Sequence, residues 1–355
     1  MFPKEKVADI LKRYDKNNLS IATVCSHSSL QIFDGAKREG FKTIGIALNK
    51  QPKFYDAFPK GKPDEFFIVQ NYEEILSLAE ELRKKNTIII PHGSFVEYLG
   101  PKNFEELELP IFGNRQVIEW ESDRTKQRQW LLSAGLKMPA EIKNPKEINR
   151  PVMVKYYGAK GGRGFFIAKD YKEFKEISPK QKYIIQEYII GTRYYIHYFY
   201  SPIKNEGYKL SKGTLELLGM DRRDESNIDE LYKVGAREKL KKSGIYPTFV
   251  VTGNVPVVIR ESLLPKAFEM GENVVEESLK LFGGIIGPFC LETVVTDQLE
   301  YRVFEISARI VAGTNISISG SPYSDLVEDD LSTGRRIAIE IKNANKMNKL
   351  SEIVS

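Results

Sequence analysis

Cysteine is scarce in this 355-residue chain: Cys25 and Cys290 are the only two, they have no Cys-x-x-Cys spacing, and both sit inside apolar stretches. That pattern argues against a disulfide framework or a thiolate metal site and fits reduced core residues of a cytosolic protein. No apolar run approaches the ~20 residues that a membrane helix needs, and there is no internal repeat or low-complexity segment. The first residues carry no signal-peptide pattern. Val7, Ile10, Leu11 and Tyr14 fall at i, i+3, i+4 and i+7, the spacing of an amphipathic helix, so a cytoplasmic location is expected. Neither sign of charge dominates: the net charge is +5, and Lys and Arg are interleaved with Asp and Glu. That disfavours a nucleic-acid partner and suits phosphorylated small molecules. Two common phosphate motifs are also missing. No Gly-x4-Gly-Lys-Ser/Thr run fits, and the one glycine-rich segment leads into a strand pattern where a dinucleotide fingerprint requires a helix.

What is present is a soluble globular composition, 41% hydrophobic and 28% charged, long enough for about two domains. Residues 1 to about 125 read as an α/β unit. Strands are expected at Ile21–Cys25, Lys42–Leu48 and Thr87–Pro91, with a further short step at Pro110–Phe112 and a helix from Leu30 through Ala36 to Gly40. Strands separated by helices imply a doubly wound parallel sheet that binds ligand at the strand C-terminal ends. Residues 115 to 140 look helical. Beyond about 150 the strands come in antiparallel pairs: Pro151–Tyr156 with Phe165–Lys169, Lys182–Ile190 with Tyr194–Tyr200, and Pro288–Thr296 with Glu300–Ile306. Helices are expected at Leu264–Phe282 and Gly334–Lys346.

Four constellations carry chemistry. The first is the strand ending at Lys155 and the loop after it, with Gly158, Lys160, Gly161, Gly162, Arg163 and Gly164, before a second strand. Glycines let backbone N–H groups converge on a polyphosphate while the cations supply charge. A glycine loop between antiparallel strands reads as a flap over a nucleotide, although a plain mobile hairpin has the same pattern. The second is Gln186-Glu187-Tyr188-Ile189, an apolar strand with one carboxylate that can frame an adenine; a buried strand with one exposed Glu is the commoner case. The third is the pair Glu292 and Glu305. If Thr296–Leu299 form the turn, Glu292 faces Val303 and Glu305 lies one diagonal step away on the same face, roughly 7–8 Å between backbones. Two carboxylates so placed can share Mg²⁺ ions. A turn one residue longer or shorter puts them on opposite faces, and the sequence leaves this open. Arg309, shortly after, can reach a transferring phosphoryl group. The fourth is histidine, of which the chain has three. His27 and His92 each follow a predicted parallel strand, beside Ser28 and Ser94, where such a unit binds ligand; ordinary loop histidines are the alternative. His197, mid-strand, reads as structural.

Taken together, the order and spacing of these segments resemble the ATP-grasp enzymes, with a doubly wound, pre-ATP-grasp N-terminal domain at 1–124 and an ATP-grasp domain of two subdomains at 125–355, its flap around 156–165. Within that superfamily the chain resembles the archaeal formate-dependent 5-formaminoimidazole-4-carboxamide ribonucleotide synthetases. The matching segments run nearly end to end: SHSSLQIFDGAKREGF, PHGSF, FGNRQVIEWESDR, GAKGGRGFF, IHYFYSP, LLGMDRRDESNID, TGNVPVVIRESLL, GPFCLE and FEISARIVAGTN. The resemblance implies an ATP-dependent carbon–nitrogen ligase that joins formate to 5-aminoimidazole-4-carboxamide ribonucleotide through formyl phosphate, in purine biosynthesis. It implies ATP as co-substrate, Mg²⁺ or Mn²⁺ as metal, and a homo-oligomer, with a hexamer as one candidate. By the same resemblance His27, Ser94 and Asn254 hold the ribonucleotide, and Lys155, Gly161, Gly162, Gly164, Glu187, Tyr188, Ile189 and Glu225 hold ATP. Glu292 and Glu305 bind metal, and Lys155 and Arg309 act on the transferring phosphoryl group. Two departures stand out: Asp224 where the family commonly has Tyr, and a Lys-rich stretch at Tyr232–Gly244. They leave open a paralogous ATP-grasp ligase with a different carboxylate or amine. A non-catalytic nucleotide sensor is the reading from another class, and the retained Lys155, Glu292, Glu305 and Arg309 speak against it.

Overall fold

The computed structural model describes residues 2–156, 165–177, 179–226 and 250–355, and the elements below are numbered among these. Four parallel strands, β1 (Ser20–Val24), β2 (Lys42–Leu48), β3 (Glu65–Val69) and β4 (Thr87–Ile89), form a sheet in the order β3-β2-β1-β4. β1 is buried along its whole length, as a central parallel strand covered on both faces must be. β3 is a half-exposed edge strand that the sequence reading does not separate from its surroundings. Pro110–Phe112, expected as a strand, makes only isolated bridges, Ile111 to Ile89 and Phe112 to Val354. The first helix, α1 (Lys4–Arg13), buries Val7 and Leu11, with Tyr14 just beyond it also buried.

α2 (Ser29–Arg38) follows β1, and α3 (Ala79–Lys84) precedes β4. The short helices α4 (Gly93–Leu99) and α5 (Pro101–Glu106) come next. Residues 115–140 divide into α6 (Val117–Ser122) and α7 (Arg124–Ser133), because the Asp123 side chain accepts from the backbone N–H groups of Thr125 (2.7 Å) and Lys126 (3.1 Å) and so starts a new helix.

Beyond this point lie two antiparallel sheets. The smaller, in the order β6-β5-β7, combines β5 (Val152–Tyr156), β6 (Phe165–Ala168) and β7 (Tyr183–Glu187), with α8 (Tyr171–Ile177) beside it. The larger has the order β11-β10-β8-β12-β13, with β9 (Tyr208–Lys209) attached to β10. Its strands are β8 (Thr192–Ser201), β10 (Thr214–Glu225), β11 (Val251–Pro256), β12 (Gly287–Val295) and β13 (Tyr301–Ser307). The expected pairing of Lys182–Ile190 with Tyr194–Tyr200 is therefore incorrect. β7 pairs with β5, whereas β8 pairs with β10 and β12. The connection between the two sheets crosses the end of β12 at Gly191, where a Cβ would lie 2.2 Å from the Val295 carbonyl oxygen, so only glycine lets the chain through.

One face of β8, through Ile196, Tyr198 and Tyr200, packs on α9 (Leu264–Phe282) in the main core. The other face carries Tyr195, His197 and Phe199, of which Phe199 packs against Phe112 of the N-terminal unit. That unit is joined to the rest by α10 (Thr333–Lys346), which crosses α2 so closely that a Cβ on Gly35 would lie 2.3 Å from the Arg335 nitrogen. After α11 (Leu350–Ile353) the chain ends against the first sheet. Ser355 exchanges backbone hydrogen bonds with Ile111, and the Arg115 guanidinium binds the Leu109 and Ser355 carbonyls at 2.7 Å each.

Candidate active site

Glu292 and Glu305 are directly opposed across β12 and β13. The diagonal register expected from a four-residue turn is wrong in two respects that cancel. The turn is one residue longer, pairing Val295 with Tyr301, with Leu299 in the left-handed region at φ +58°. That alone would put the two carboxylates on opposite faces. A β-bulge then follows, in which Phe304 has no partner on β12, and the extra residue returns Glu305 to the face of Glu292.

Charge around this pair is dense. Arg223 Nη2 donates to Glu292 Oε1 at 3.1 Å, and the Arg223 guanidinium stacks over Tyr195 at 3.6 Å from the ring centroid. Glu292 is buried. Glu305 stays accessible to solvent but lies among dense surrounding protein, and that burial, followed by the Glu292 charge, pushes its carboxyl above the ordinary range against the pull of Lys155, Arg124 and Arg223. The Lys155 ammonium sits 5.8 Å from the Phe304 ring centroid. Burial lowers its pKa, and Glu305 is the largest opposing influence. The bulge residue Phe304 thus lies beside the lysine that ends β5.

The second cluster lies at the ends of β1 and β4. His27 Nε2 accepts the Ser94 backbone N–H at 3.1 Å, which places its proton on Nδ1 for donation to Ser28 Oγ at 3.0 Å. His92 Nδ1 accepts from the Phe95 N–H at 3.3 Å, capping α4, and its Nε2 donates to the Val24 carbonyl at 3.0 Å. The two rings are 4.5 Å apart. Burial lowers both pKa values, His27 to about 4 and His92 to about 3, so both are neutral near pH 7. Ser29, next in the chain, spends its hydroxyl on the Ser26 carbonyl at 2.6 Å and on Tyr55 Oη at 2.7 Å.

Arg309, four residues beyond Glu305 in the chain, lies against the second cluster. Its Nη2 pairs with Glu121 Oε1 at 2.8 Å, and Glu121 Oε2 accepts the Ala308 N–H at 2.9 Å. The guanidinium also lies against Gly93, where a Cβ would meet His27 Nε2 at 3.1 Å and Arg309 Cζ at 3.2 Å. Arg309 therefore sits beside His27 at the junction of the two units, and its buried Nε has no partner among the described residues.

The remaining predicted residues fall around this floor. Asn254 on β11 lies opposite Arg223 on β10 and donates from Nδ2 to Asp221 at 2.6 Å. Glu225, at the end of β10, accepts from Arg193 Nη1 at 2.7 Å. Glu187 accepts from the Ala140 N–H at 3.4 Å and lies 3.7 Å from Arg150 Nε, while Tyr188 and Ile189 begin the crossing between the two sheets. Gly161, Gly162 and Gly164 lie outside the described residues, as does Tyr232–Gly244. Arg223, Arg124, Glu121 and Asp221 escape the sequence reading. A signal for two of them is present: Asp221, Arg223 and Glu225 alternate along β10, which puts their side chains on one face.

Comparison with known proteins agrees with this architecture. Two family models match, a domain of unknown function (DUF1297) over residues 169–355 and a protein of unknown function (DUF1246) over residues 21–142. The chain is 66% identical, over the full length of both, to 5-formaminoimidazole-4-carboxamide-1-(beta)-D-ribofuranosyl 5'-monophosphate synthetase 1 of Methanosarcina mazei, and 67% identical to the synthetase of Methanosarcina acetivorans, again over both full lengths. Among solved structures it resembles the IMP biosynthesis protein PurP from Thermococcus kodakaraensis, with a TM-score of 0.72 and 30% identity, covering 94% of this chain and 100% of that one. An ADP complex of an N5-carboxyaminoimidazole ribonucleotide synthetase shares the fold, with a TM-score of 0.64 and 14% identity over 92% of this chain and 77% of the other. The chain accordingly belongs to the family of the 5-formaminoimidazole-4-carboxamide-1-(beta)-D-ribofuranosyl 5'-monophosphate synthetases, ATP-dependent ligases of purine biosynthesis with the ATP-grasp fold.

Proposed function

We propose that the protein uses ATP to join formate to the amine of 5-aminoimidazole-4-carboxamide ribonucleotide, by way of formyl phosphate. The observation that carries this reading is the directly opposed pair Glu292 and Glu305 beside Lys155, with Arg309, four residues beyond Glu305, packed against the His27 cluster. We take residues 1–124 as the ribonucleotide-binding unit and 125–355 as the ATP-grasp domain, whose helices α10 and α11 return to pack on the former.

Glu292 and Glu305 fit a divalent cation. They are acceptor-only oxygens on one face, and burial followed by the Glu292 charge disfavours the Glu305 anion, which a bound cation would favour again. Among the described residues no group of three or more His, Cys, Asp or Glu side chains could hold a metal; Glu292 and Glu305 would be the two protein ligands, and phosphate oxygens and water would have to supply the others. When bound, Mg²⁺ or Mn²⁺ neutralises charge on the phosphates.

The protein's own groups do the rest. Lys155 meets the phosphates at the end of β5, and Gly161, Gly162 and Gly164, outside the described residues, are the further ATP contacts that the sequence proposes. Tyr188 and Ile189 frame the adenine, with Glu187 and Glu225 as further nucleotide contacts. A formate oxygen attacks the γ-phosphorus in line; the bond to the β,γ-bridging oxygen breaks and ADP departs with that electron pair. Arg309, anchored by Glu121, stabilises the charge spread over the transferring group. The ribonucleotide, held by His27, Ser94 and Asn254, then adds its amine nitrogen to the formyl carbon. Phosphate leaves and carries away the amine proton. An aromatic amine is a weak nucleophile, so the acyl phosphate must be kept from water until it arrives.

Asp224, the departure from the family pattern, is exposed and lies on the face of β10 opposite Arg223 and Glu225, so it leaves this floor unaltered. Further copies of the chain are the expected partners, in a homo-oligomer with a hexamer as the candidate size; sedimentation would weigh it. The test of function is ADP release with a panel of carboxylates and amines. We expect release only when formate and the ribonucleotide are both present. Release driven by another pair would assign the chain a different substrate.

A further inference from the structure

Asp221, in the middle of β10, is fully buried. Two side chains converge on its carboxylate: His197 Nε2 lies 2.6 Å from Oδ1, and Asn254 Nδ2 lies 2.6 Å from Oδ2. Gly313 closes the remaining side, since a Cβ there would lie 2.4 Å from Asp221 Oδ1 and 3.0 Å from His197 Cε1. An ionised carboxylate only accepts, so both partners must donate. This settles two orientations that neither residue settles alone. His197 carries its proton on Nε2, and its buried Nδ1 has no partner among the described residues. Asn254 turns its amide nitrogen to Asp221 and therefore directs its carbonyl Oδ1 away from it.

We propose that Asp221, buttressed by His197, is a positioning residue that makes Asn254 a hydrogen-bond acceptor toward the acceptor ribonucleotide, so that the site selects a ligand offering an N–H donor there and rejects one offering a carboxylate. This rests on the reading of Asn254 as a ribonucleotide contact. The orphaned His197 nitrogen supports it. A buried polar atom without a partner is costly, and its retention is accounted for if the other ring nitrogen is needed to hold Asp221. In this arrangement His197 acts on the ligand at second hand, through Asp221 and Asn254.

The experiment compares steady-state KM values for 5-aminoimidazole-4-carboxamide ribonucleotide and for ATP in four variants, each checked for folding by its melting temperature. Asn254→Ala must raise the ribonucleotide KM and leave that for ATP unchanged; no rise removes Asn254 from the contact and the proposal with it. Asp221→Asn frees the Asn254 amide to turn over, so the ribonucleotide KM should rise about tenfold, as for one mispaired buried hydrogen bond, with kcat within about threefold of wild type. Asn254→Asp opposes two carboxylates and should lose more. The exchange Asp221→Asn/Asn254→Asp restores one donor and one acceptor and still presents an oxygen to the ligand, so it should return KM to within about threefold of wild type. If Asn254→Ala raises KM while Asp221→Asn does not, or if the exchange is no better than Asn254→Asp, the positioning role is overturned and the contact stands. Should Asp221→Asn fail to fold, His197→Leu decides in its place: a raised ribonucleotide KM sustains the role and an unchanged one overturns it.

Discussion

His27 and His92, at the ends of the parallel strands, and Glu292 and Glu305, on the antiparallel hairpin, are treated in opposite ways by the fold. The histidines are satisfied from within. Every ring nitrogen has a protein partner, and burial keeps both rings neutral. The glutamates are left in electrostatic conflict: they face each other, and Glu305 is disfavoured as an anion. A site that is complete without its ligand suits an uncharged heterocycle, which needs shape and a few directed hydrogen bonds. A site in which burial and a facing carboxylate disfavour an anion suits a ligand that brings a cation. The same contrast has a consequence for His27. A direct contact between its ring nitrogens and the ribonucleotide must exchange or share a partner held by Ser28 or Ser94.

The largest effect should come from the glutamate side. Glu305→Gln keeps the volume and removes a charge, so turnover should fall by at least about 100-fold while ribonucleotide binding is retained. Wild-type rates at ordinary magnesium levels would take Glu305 out of the site. Next is Gly93, where a methyl group would press on both His27 and Arg309. Gly93→Ala should destabilise the protein by about 1–3 kcal/mol, measurable by urea denaturation. Unchanged stability would mean that the junction is loosely packed.

Stability against pH separates the two regions by sign. The histidines have folded pKa values, about 4 and about 3, below the ordinary 6.5. Their stabilisation is present above pH 6.5 and is lost as the pH falls through the folded values. Glu305 is shifted upward from 4.5, so its contribution is present below that value and is lost as the pH rises through the elevated one. The melting temperature of Glu305→Gln relative to wild type, both without ligands, should therefore climb as pH rises from 4.5 toward neutrality. A flat difference would remove the conflict on which the comparison rests. The smallest effect is expected at Glu121, which holds Arg309 from outside the chemistry. Glu121→Gln keeps a hydrogen-bonding group and should lower kcat by roughly 3–10-fold, the cost of one weakened charged hydrogen bond.

Much of this architecture was legible where local signals agree with the tertiary outcome. Leu264–Phe282 is marked by Pro265 at its start and by Gly283 in the left-handed region at its end, and the helix observed has those limits. Lys42–Leu48 is likewise found as expected. Glu292, Glu305, Lys155 and Arg309 could be proposed from motif order, but their mutual geometry could not. The Phe304 bulge has no mark in the residues around it, since an unpaired residue within a strand is a property of the partner strand as well. Arg223 and Asp221 were visible as an alternation yet were read only as part of a longer motif. Glu121 and Arg309 meet across most of the chain, and no local pattern predicts that ion pair. The split of β7 and β8 between sheets depends on how closely Gly191 approaches β12, which is again a tertiary fact.

The division of the two ligands between the two regions is tested most directly by titrating His27→Ala separately with the ribonucleotide and with magnesium ATP in a calorimeter. Ribonucleotide affinity should fall by about 1–3 kcal/mol, the usual cost of losing one partner of a buried polar contact, while ATP affinity stays at the wild-type value. Unchanged ribonucleotide affinity, or a loss confined to ATP, would contradict the assignment.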